Sequence, residues 1–285
     1  MITAMPRIAI AARDFDALVS VFRDRFGMPL VDISSDSVPG LGAKLALCVP
    51  AGGSNIELMS PADPATPLSQ SLQKFLDRRG EGLFALMLEA PDPDAEADLL
   101  RGRGLNVLPL MAGAAGRDVH PNSTNGVLIR VYPVNSFQAV PEQIQQREDR
   151  SLGLTGVCRV IIAVRDLEAA SAVYGAGLGL PVAAPARDAR RGVSSVTVRP
   201  PAGGVIELVS VADPQCPFAA SIATHLATRG EGMYALVLQV SDAATAVASL
   251  GERGIEVSDD GGQPGPLEVD AASVFGTRIL LEDLA

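Results

Sequence analysis

Apolar and polar positions follow one short grammar that recurs along the chain. RIAIAA at 7–12 reads as a β-strand, and Asp14 stands where a helix N-cap belongs. Phe15, Leu18, Val19, Phe22 and Phe26 follow at helical spacing, Gly27 stops that helix, and Pro29 comes just after it. AKLALCV (43–49) and NIELMS (55–60) are further strand-like runs. LFALMLEA (83–90) opens a second cycle: strand, helix at about 94–103, Gly104, and strands ending in GVLIRVY at 126–132.

The second half of the chain repeats the first. Residues 6–30 answer 158–182, and 54–82 answer 204–232, where RRGEGLFALML becomes TRGEGMYALVL. The nearly constant offset marks a tandem duplication. It predicts a first domain over 1–137, a polar linker over 138–155 and a second domain over 156–285, each built from two βαβββ units.

The segments IEL, then SP and PLSQSLQKFLDRRGEG, and later HPNSTNGVLI carry a family resemblance. The chain resembles the vicinal oxygen chelate superfamily, which includes glyoxalase I, methylmalonyl-CoA epimerase, extradiol dioxygenases and bleomycin-resistance proteins, and the resemblance lies nearest the epimerase and glyoxalase-like branch. It implies an α+β fold of four βαβββ modules, forming two curled-sheet domains that each hold a small-molecule cavity. It also implies a divalent metal held from four strands. Carried over position by position, those ligand places fall on Arg7, Glu57, Ala85 and Arg130 in domain 1, and on Arg159, Glu207, Ala235 and Leu280 in domain 2. One carboxylate per site, next to guanidinium groups, does not hold zinc or a six-coordinate cation. No metal and no cofactor are therefore expected.

Strand alternation puts Arg7, Glu57 and Arg130 on cavity-facing positions, each a lone charge in an apolar run. Unpaired buried charge is costly, so Arg7 and Arg130 are expected to pair with Glu57. The bland outcome is a salt bridge plugging a vestigial metal site. The functional outcome leaves spare guanidinium donors for a substrate oxygen, with Arg130 the sharper candidate. Glu57 and Glu207 are the candidate catalytic carboxylates, although a carboxylate between two Arg is a better anchor than base. Arg159 repeats Arg7, and Arg278, two residues before Leu280, is a candidate for a shifted site in domain 2. Tyr132 shares the parity of Arg130, and His120 is a turn residue or a cavity-rim donor. His225 reads as a surface helix residue, and Phe84 and Tyr234 as core on the face opposite Ala85 and Ala235.

Composition narrows the partners. The net charge is −10 and no Lys/Arg cluster offers a phosphate-binding face, which argues against nucleic acid. No apolar run approaches a membrane span or a signal peptide, and three widely spaced cysteines match neither a disulfide framework nor a metal site. A cytoplasmic protein with a small-molecule ligand is expected, with a homodimer as a candidate assembly. Three roles remain open: a metal-independent isomerase or lyase acting on an anionic or carbonyl metabolite; a binding or sequestering protein of the bleomycin-resistance type; and a degenerate scaffold.

Overall fold

The computed structural model describes residues 1–34, 42–136, 143–146, 151–258 and 267–284. Domain 1 begins with β1 (Ala4–Ala11) and α1 (Phe15–Ser20), which runs on into a π-helical turn at Val21–Arg25. Asp14 caps α1 by accepting from the Ala17 N–H at 3.0 Å, as its place in the pattern predicts. Then come β2 (Leu30–Asp32), β3 (Ala43–Cys48), β4 (Asn55–Pro61), α2 (Pro67–Arg79), β5 (Gly82–Ala90), α3 (Pro93–Gly102), β6 (Arg117–Val119) and β7 (Leu128–Pro133). Domain 2 repeats the order. It contains β8 (Leu154–Ala163), α4 (Leu167–Ala172), β9 (Ala186–Asp188), β10 (Val193–Val198), β11 (Ile206–Val211), α5 (Pro217–Thr228), β12 (Gly232–Val240), α6 (Ala243–Glu252), β13 (Val257–Ser258), β14 (Leu267–Val269) and β15 (Ile279–Asp283).

The strands form two mixed sheets, ordered β2-β3-β4-β1-β5-β7-β6 and β13-β14-β15-β12-β8-β11-β10-β9. Within each module the first and last strands pair in parallel (β1 with β4, β5 with β7), and the modules join through the antiparallel β1–β5 pair. The fold is thus the α+β arrangement of βαβββ modules that the repeat predicts. Of the linker over 138–155, residues 143–146 and 151–155 are described. Gln145 pairs back onto β2 at Leu30, and β8 already begins at Leu154.

Each sheet is packed on both faces. Ile8, Ile10, Ile56, Leu58, Leu86, Leu88, Ile129 and Val131 meet α1 and α3, in a core continuous with the equivalent core of domain 2. The other face of sheet 1 carries Ala9, Ala11, Leu45, Met59, Ala85 and Met87, against Leu68, Leu72 and Leu76 of α2. These leucines recur at i, i+4 and i+8, so one stripe of α2 lies on the sheet. In domain 2, Phe218, Ala219, Ile222 and Leu226 of α5 do the same. Much of the face expected to line a cavity is therefore apolar core.

The repeated GEG segments dock the domains. Within each domain the segment is first tied to its own opening strand: the Glu81 carboxylate accepts from the Arg13 N–H at 2.8 Å, and Glu231 from the Arg165 N–H at 2.7 Å. Across the junction, Gly126 has φ +76° and lies so close to Glu231 that a Cβ there would stand 2.0 Å from the Glu231 carbonyl oxygen. Only glycine fits that approach.

Candidate functional site

On the α2 face of domain 1, register brings the predicted charges together. Ala9 of β1 lies opposite Glu57 and Ala85, Met87 lies opposite Arg130, and Asp118 of β6 lies opposite Arg130 on the other side. Arg7 is 7%, Glu57 8% and Arg130 4% exposed, so all three are buried charges. The Arg7 Nε is 3.7 Å from the Glu57 Oε2, an ion pair beyond hydrogen-bond length. The Arg7 Nη2 donates to the Ser136 hydroxyl at 3.2 Å, and its guanidinium lies 4.7 Å over the Tyr132 ring.

Arg130 departs from the expected pairing. Its Nε stands 3.1 Å from the Asp118 Oδ1, and Glu57 acts on it only at longer range. The reason is topological: Asp118 is its direct cross-strand neighbour, whereas Glu57 lies on β4, three strands away across β1 and β5. Arg130 is therefore not the uncancelled cation that the sequence suggests. Burial works against its charge, but Asp118, Tyr132 and Glu57 together hold its pKa above the ordinary value. Burial raises the Tyr132 hydroxyl pKa, with Arg130 opposing. Glu89, also buried, has its pKa raised by burial against the pull of Arg7.

Three polar atoms of this cluster are buried without a hydrogen-bond partner among the described residues, the Arg7 Nε, the Glu57 Oε2 and the Arg130 Nη2, while the Arg130 Nε has the Asp118 ion pair. Buried polar groups are nearly always satisfied, so a group of this kind calls for an explanation.

The matching place in domain 2 is closed. Glu207 accepts from the Arg159 Nε at 2.9 Å and from the Arg191 Nη2 at 2.5 Å. Arg159 also meets Glu282 through two bonds of 2.7 and 2.5 Å, and Arg191 meets Asp188 at 2.8 Å. Burial opposes the charge of Arg159, yet Glu282 and then Glu207 raise its pKa; Glu207 and Asp188 do the same for Arg191. Leu280, where domain 1 has Arg130, joins the apolar cluster under α5. Of these residues Arg191, Asp188 and Glu282 were not singled out by sequence reasoning. Asp188 ends the three-residue β9 and Arg191 sits in the turn after it, where no periodic signal exists.

The remaining candidates gather elsewhere. Arg278 pairs with Glu268 at 3.2 Å and lies 4.5 Å over the Tyr234 ring, rather than completing the Arg159–Glu207 network. His120 caps a 3-10 turn at Pro121–Ser123, its Nδ1 accepting from the Asn122 N–H at 3.1 Å. Both line a cleft between α2 and α5. His225 lines it too and is half-buried, which corrects its reading as a surface residue; its ring meets Tyr234 edge-on at 5.3 Å. A register shift in β5 between the Ala85 and Leu83 pairings puts Phe84 on the same side as Ala85, 5.1 Å from Phe75 of α2. The β12 shift does this for Tyr234. Neither ring faces away from its alanine as strict alternation predicts.

The donor set does not fit a catalytic metal. The four strand positions supply one carboxylate per domain, each already beside a guanidinium. Among the described residues, no group of three His, Cys, Asp or Glu side chains lies within reach of one ion. No described helix is long and apolar enough to cross a membrane.

Paired βαβββ modules, duplicated in one chain, define a tandem two-domain protein of the glyoxalase-like α+β class. The glyoxalase/bleomycin resistance protein/dioxygenase superfamily model matches residues 7–120 and again 158–272, and the chain belongs to that superfamily. Among solved structures, a mutant of 4-hydroxymandelate synthase from Streptomyces coelicolor matches at 14% identity and a TM-score of 0.68, covering 99% of this chain and 93% of that one. This likeness is one of fold. Methylmalonyl-CoA epimerase from Mycobacterium tuberculosis matches at 24% identity over 47% of this chain and 90% of its own, with a TM-score of 0.42. No curated protein matches the chain.

Proposed function

We propose that domain 1 binds a small carbonyl- or carboxylate-bearing metabolite at the Arg7–Glu57–Arg130 cluster without a metal ion, as a metal-independent isomerase or lyase. One observation carries this reading: among the described residues the Arg7 Nε, the Glu57 Oε2 and the Arg130 Nη2 make no hydrogen bond, whereas the matching groups of domain 2 are bound up in the Arg159–Glu207–Arg191 network. Arg7 and Arg130 offer N–H donors to a substrate oxygen, and the Glu57 Oε2 offers an acceptor to a hydroxyl or an acidic C–H. The charges of Arg7 and Arg130 are matched by Glu57 and Asp118, so a carbonyl oxygen serves as well as a full anion. In a reaction through an enolate, the two guanidinium groups would stabilise the oxyanion while Glu57 takes the proton. Arg159, Glu207 and Arg278 have no role in this chemistry, and both domains come from one chain, so a homodimer is not required for it.

Binding without turnover, as in bleomycin-resistance proteins, uses the same donors and is the second reading. Thermal-shift titration with pyruvate, 2-hydroxybutyrate and benzoate, followed by NMR of α-proton exchange in D₂O, tests both. Stabilisation by at least one of them that is lost in Arg130→Met supports the site, and exchange lost in Glu57→Gln supports catalysis. Stabilisation without exchange supports the binding reading. Stabilisation unchanged in Arg130→Met, or none with any of the three, overturns both.

A further inference from the structure

The cleft between α2 and α5 lies outside the domain-1 cluster and encloses a cavity of about 610 Å³, within the usual range for small-molecule sites. It straddles the duplication: Ser71, Phe75, Arg79 and Phe84 on one wall answer Ser221, His225, Arg229 and Tyr234 on the other. Its cations are Lys74, Arg78, Arg79, Arg229 and Arg278, and no carboxylate is among the described residues that line it. Glu268 balances Arg278, but no described ion pair balances the other four. The Arg79 Nη1 donates to the Arg229 carbonyl oxygen at 2.6 Å, tying the helix ends together across the cleft. In a protein of net charge −10, such a concentration of positive charge is against the average.

The floor is apolar and aromatic, with Phe84 and Tyr234 both buried and Phe75 and Met233 beside them. The His225 Nε2 is buried there without a partner among the described residues. The field is felt locally: burial and then Arg229, Arg278 and Arg79 drive the His225 pKa down, so this ring adds no charge at neutral pH.

We propose that this cleft is a binding site for an organic carboxylate with an apolar aryl or acyl body. The body would lie on Phe75, Phe84 and Tyr234, and the carboxylate would take its bonds from Arg78, Arg79 and Arg229. A guanidinium fork matches a carboxylate in two parallel bonds, and the aromatic floor supplies what a bare inorganic anion could not use.

Isothermal titration with 2-naphthoate, its neutral amide 2-naphthamide and inorganic phosphate tests the site. The residues to be changed are exposed, and circular dichroism and an unchanged melting temperature check that the variants keep the fold without the Arg79–Arg229 tie. We expect one 2-naphthoate per chain, binding weakened at least about tenfold in Arg79→Ala/Arg229→Ala, the scale of one lost charge-assisted bond, and weakened by added salt. The amide should bind at least about tenfold more weakly than the acid, for the same reason. Arg187→Ala/Arg190→Ala, which removes the same charge from exposed positions of β9 and the turn after it, should leave binding unchanged. Equal binding of acid and amide, phosphate binding as tightly as naphthoate, no measurable naphthoate binding, or equal effects of the two double variants would each overturn the proposal. Naphthoate held instead by the Arg130 cluster would give unchanged binding in Arg79→Ala/Arg229→Ala, so the two sites are told apart.

Discussion

Glu57→Gln and Glu207→Gln remove the same charge from equivalent strands, yet they should differ in cost. Glu207 accepts charge-assisted bonds of 2.9 and 2.5 Å from Arg159 and Arg191. Bonds to charged groups contribute about 1.5–3 kcal/mol each. A glutamine keeps a neutral acceptor, and both Arg retain second carboxylates, so the expected loss is ~3 kcal/mol, the lower end for breaking a buried ion pair. Among the described residues the ion pair of Glu57 is the one with Arg7, at 3.7 Å. At an effective dielectric near 20 that attraction is about 4 kcal/mol. Glutamine removes the carboxylate's own desolvation cost and breaks no hydrogen bond, and Arg7 keeps the field of Glu89, the Ser136 hydroxyl and the Tyr132 ring, so its charge is not stranded and Glu57→Gln should cost less than ~1 kcal/mol. Urea unfolding followed by far-UV circular dichroism measures both, since the chain has no Trp. A difference of ~2–3 kcal/mol, or roughly 5–10 °C in melting temperature, is expected. Equal costs, or a larger loss for Glu57→Gln, would refute the claim that domain 1 carries an unsatisfied site while domain 2 carries a structural plug.

Gly126→Ala should destabilise the chain by more than ~2 kcal/mol, because its Cβ would meet the Glu231 carbonyl at 2.0 Å in a positive-φ turn; limited proteolysis between the domains should then become faster. His225 has a folded pKa of about 4, below its ordinary 6.5, so the native state favours the neutral ring. Its contribution is complete above pH 6.5 and is lost as pH falls toward 4, and His225→Gln should flatten that part of a stability–pH curve. Asp118→Asn should strip Arg130 of its cross-strand partner at 3.1 Å and cost ~2–4 kcal/mol of stability, measured by denaturation, unless a carboxylate ligand replaces the lost charge. Dialysed protein should carry less than about 0.1 equivalent of any divalent ion by elemental analysis, since each site offers one carboxylate beside a guanidinium.

What the sequence shows well is whatever repeats or alternates. The duplication, the cap at Asp14, the buried charges at Arg7, Glu57 and Arg130, and the paired sheets all follow from period and parity. What it hides comes from irregular backbone. Asp118 sits on a three-residue strand and Arg191 in a turn, so neither belongs to a pattern long enough to aim its side chain. The register shift in β5 breaks the parity rule at Phe84, where strict alternation would have to hold for the prediction to succeed. His225 looks solvent-facing along α5 because helix periodicity knows nothing of Tyr234 beneath it or of the cleft that its ring lines. Pairwise chemistry across elements, not local propensity, decides all four.

The asymmetry between the halves also separates two demands on the duplicated sequence. Docking requires both copies of the GEG segment: Gly126 approaches the Glu231 carbonyl and Gly276 the Glu81 carbonyl so closely that an added Cβ would stand 2.0 and 2.7 Å from those oxygens. Those positions are the same in both halves because the contact is reciprocal across the junction. The cluster on the α2 face answers to no such symmetry. Domain 2 supplies Arg191, Asp188 and Glu282 and replaces the Arg130 position by Leu280, which satisfies Arg159 and Glu207 completely. Domain 1 keeps a second guanidinium beside Asp118 and leaves the Arg7 Nε, the Glu57 Oε2 and the Arg130 Nη2 without hydrogen bonds among the described residues. A stability requirement alone would favour the domain-2 solution in both copies, since buried polar atoms without partners cost free energy and confer nothing on the empty fold. Keeping the costlier arrangement in one copy is the pattern expected when that copy binds something and the other holds the scaffold.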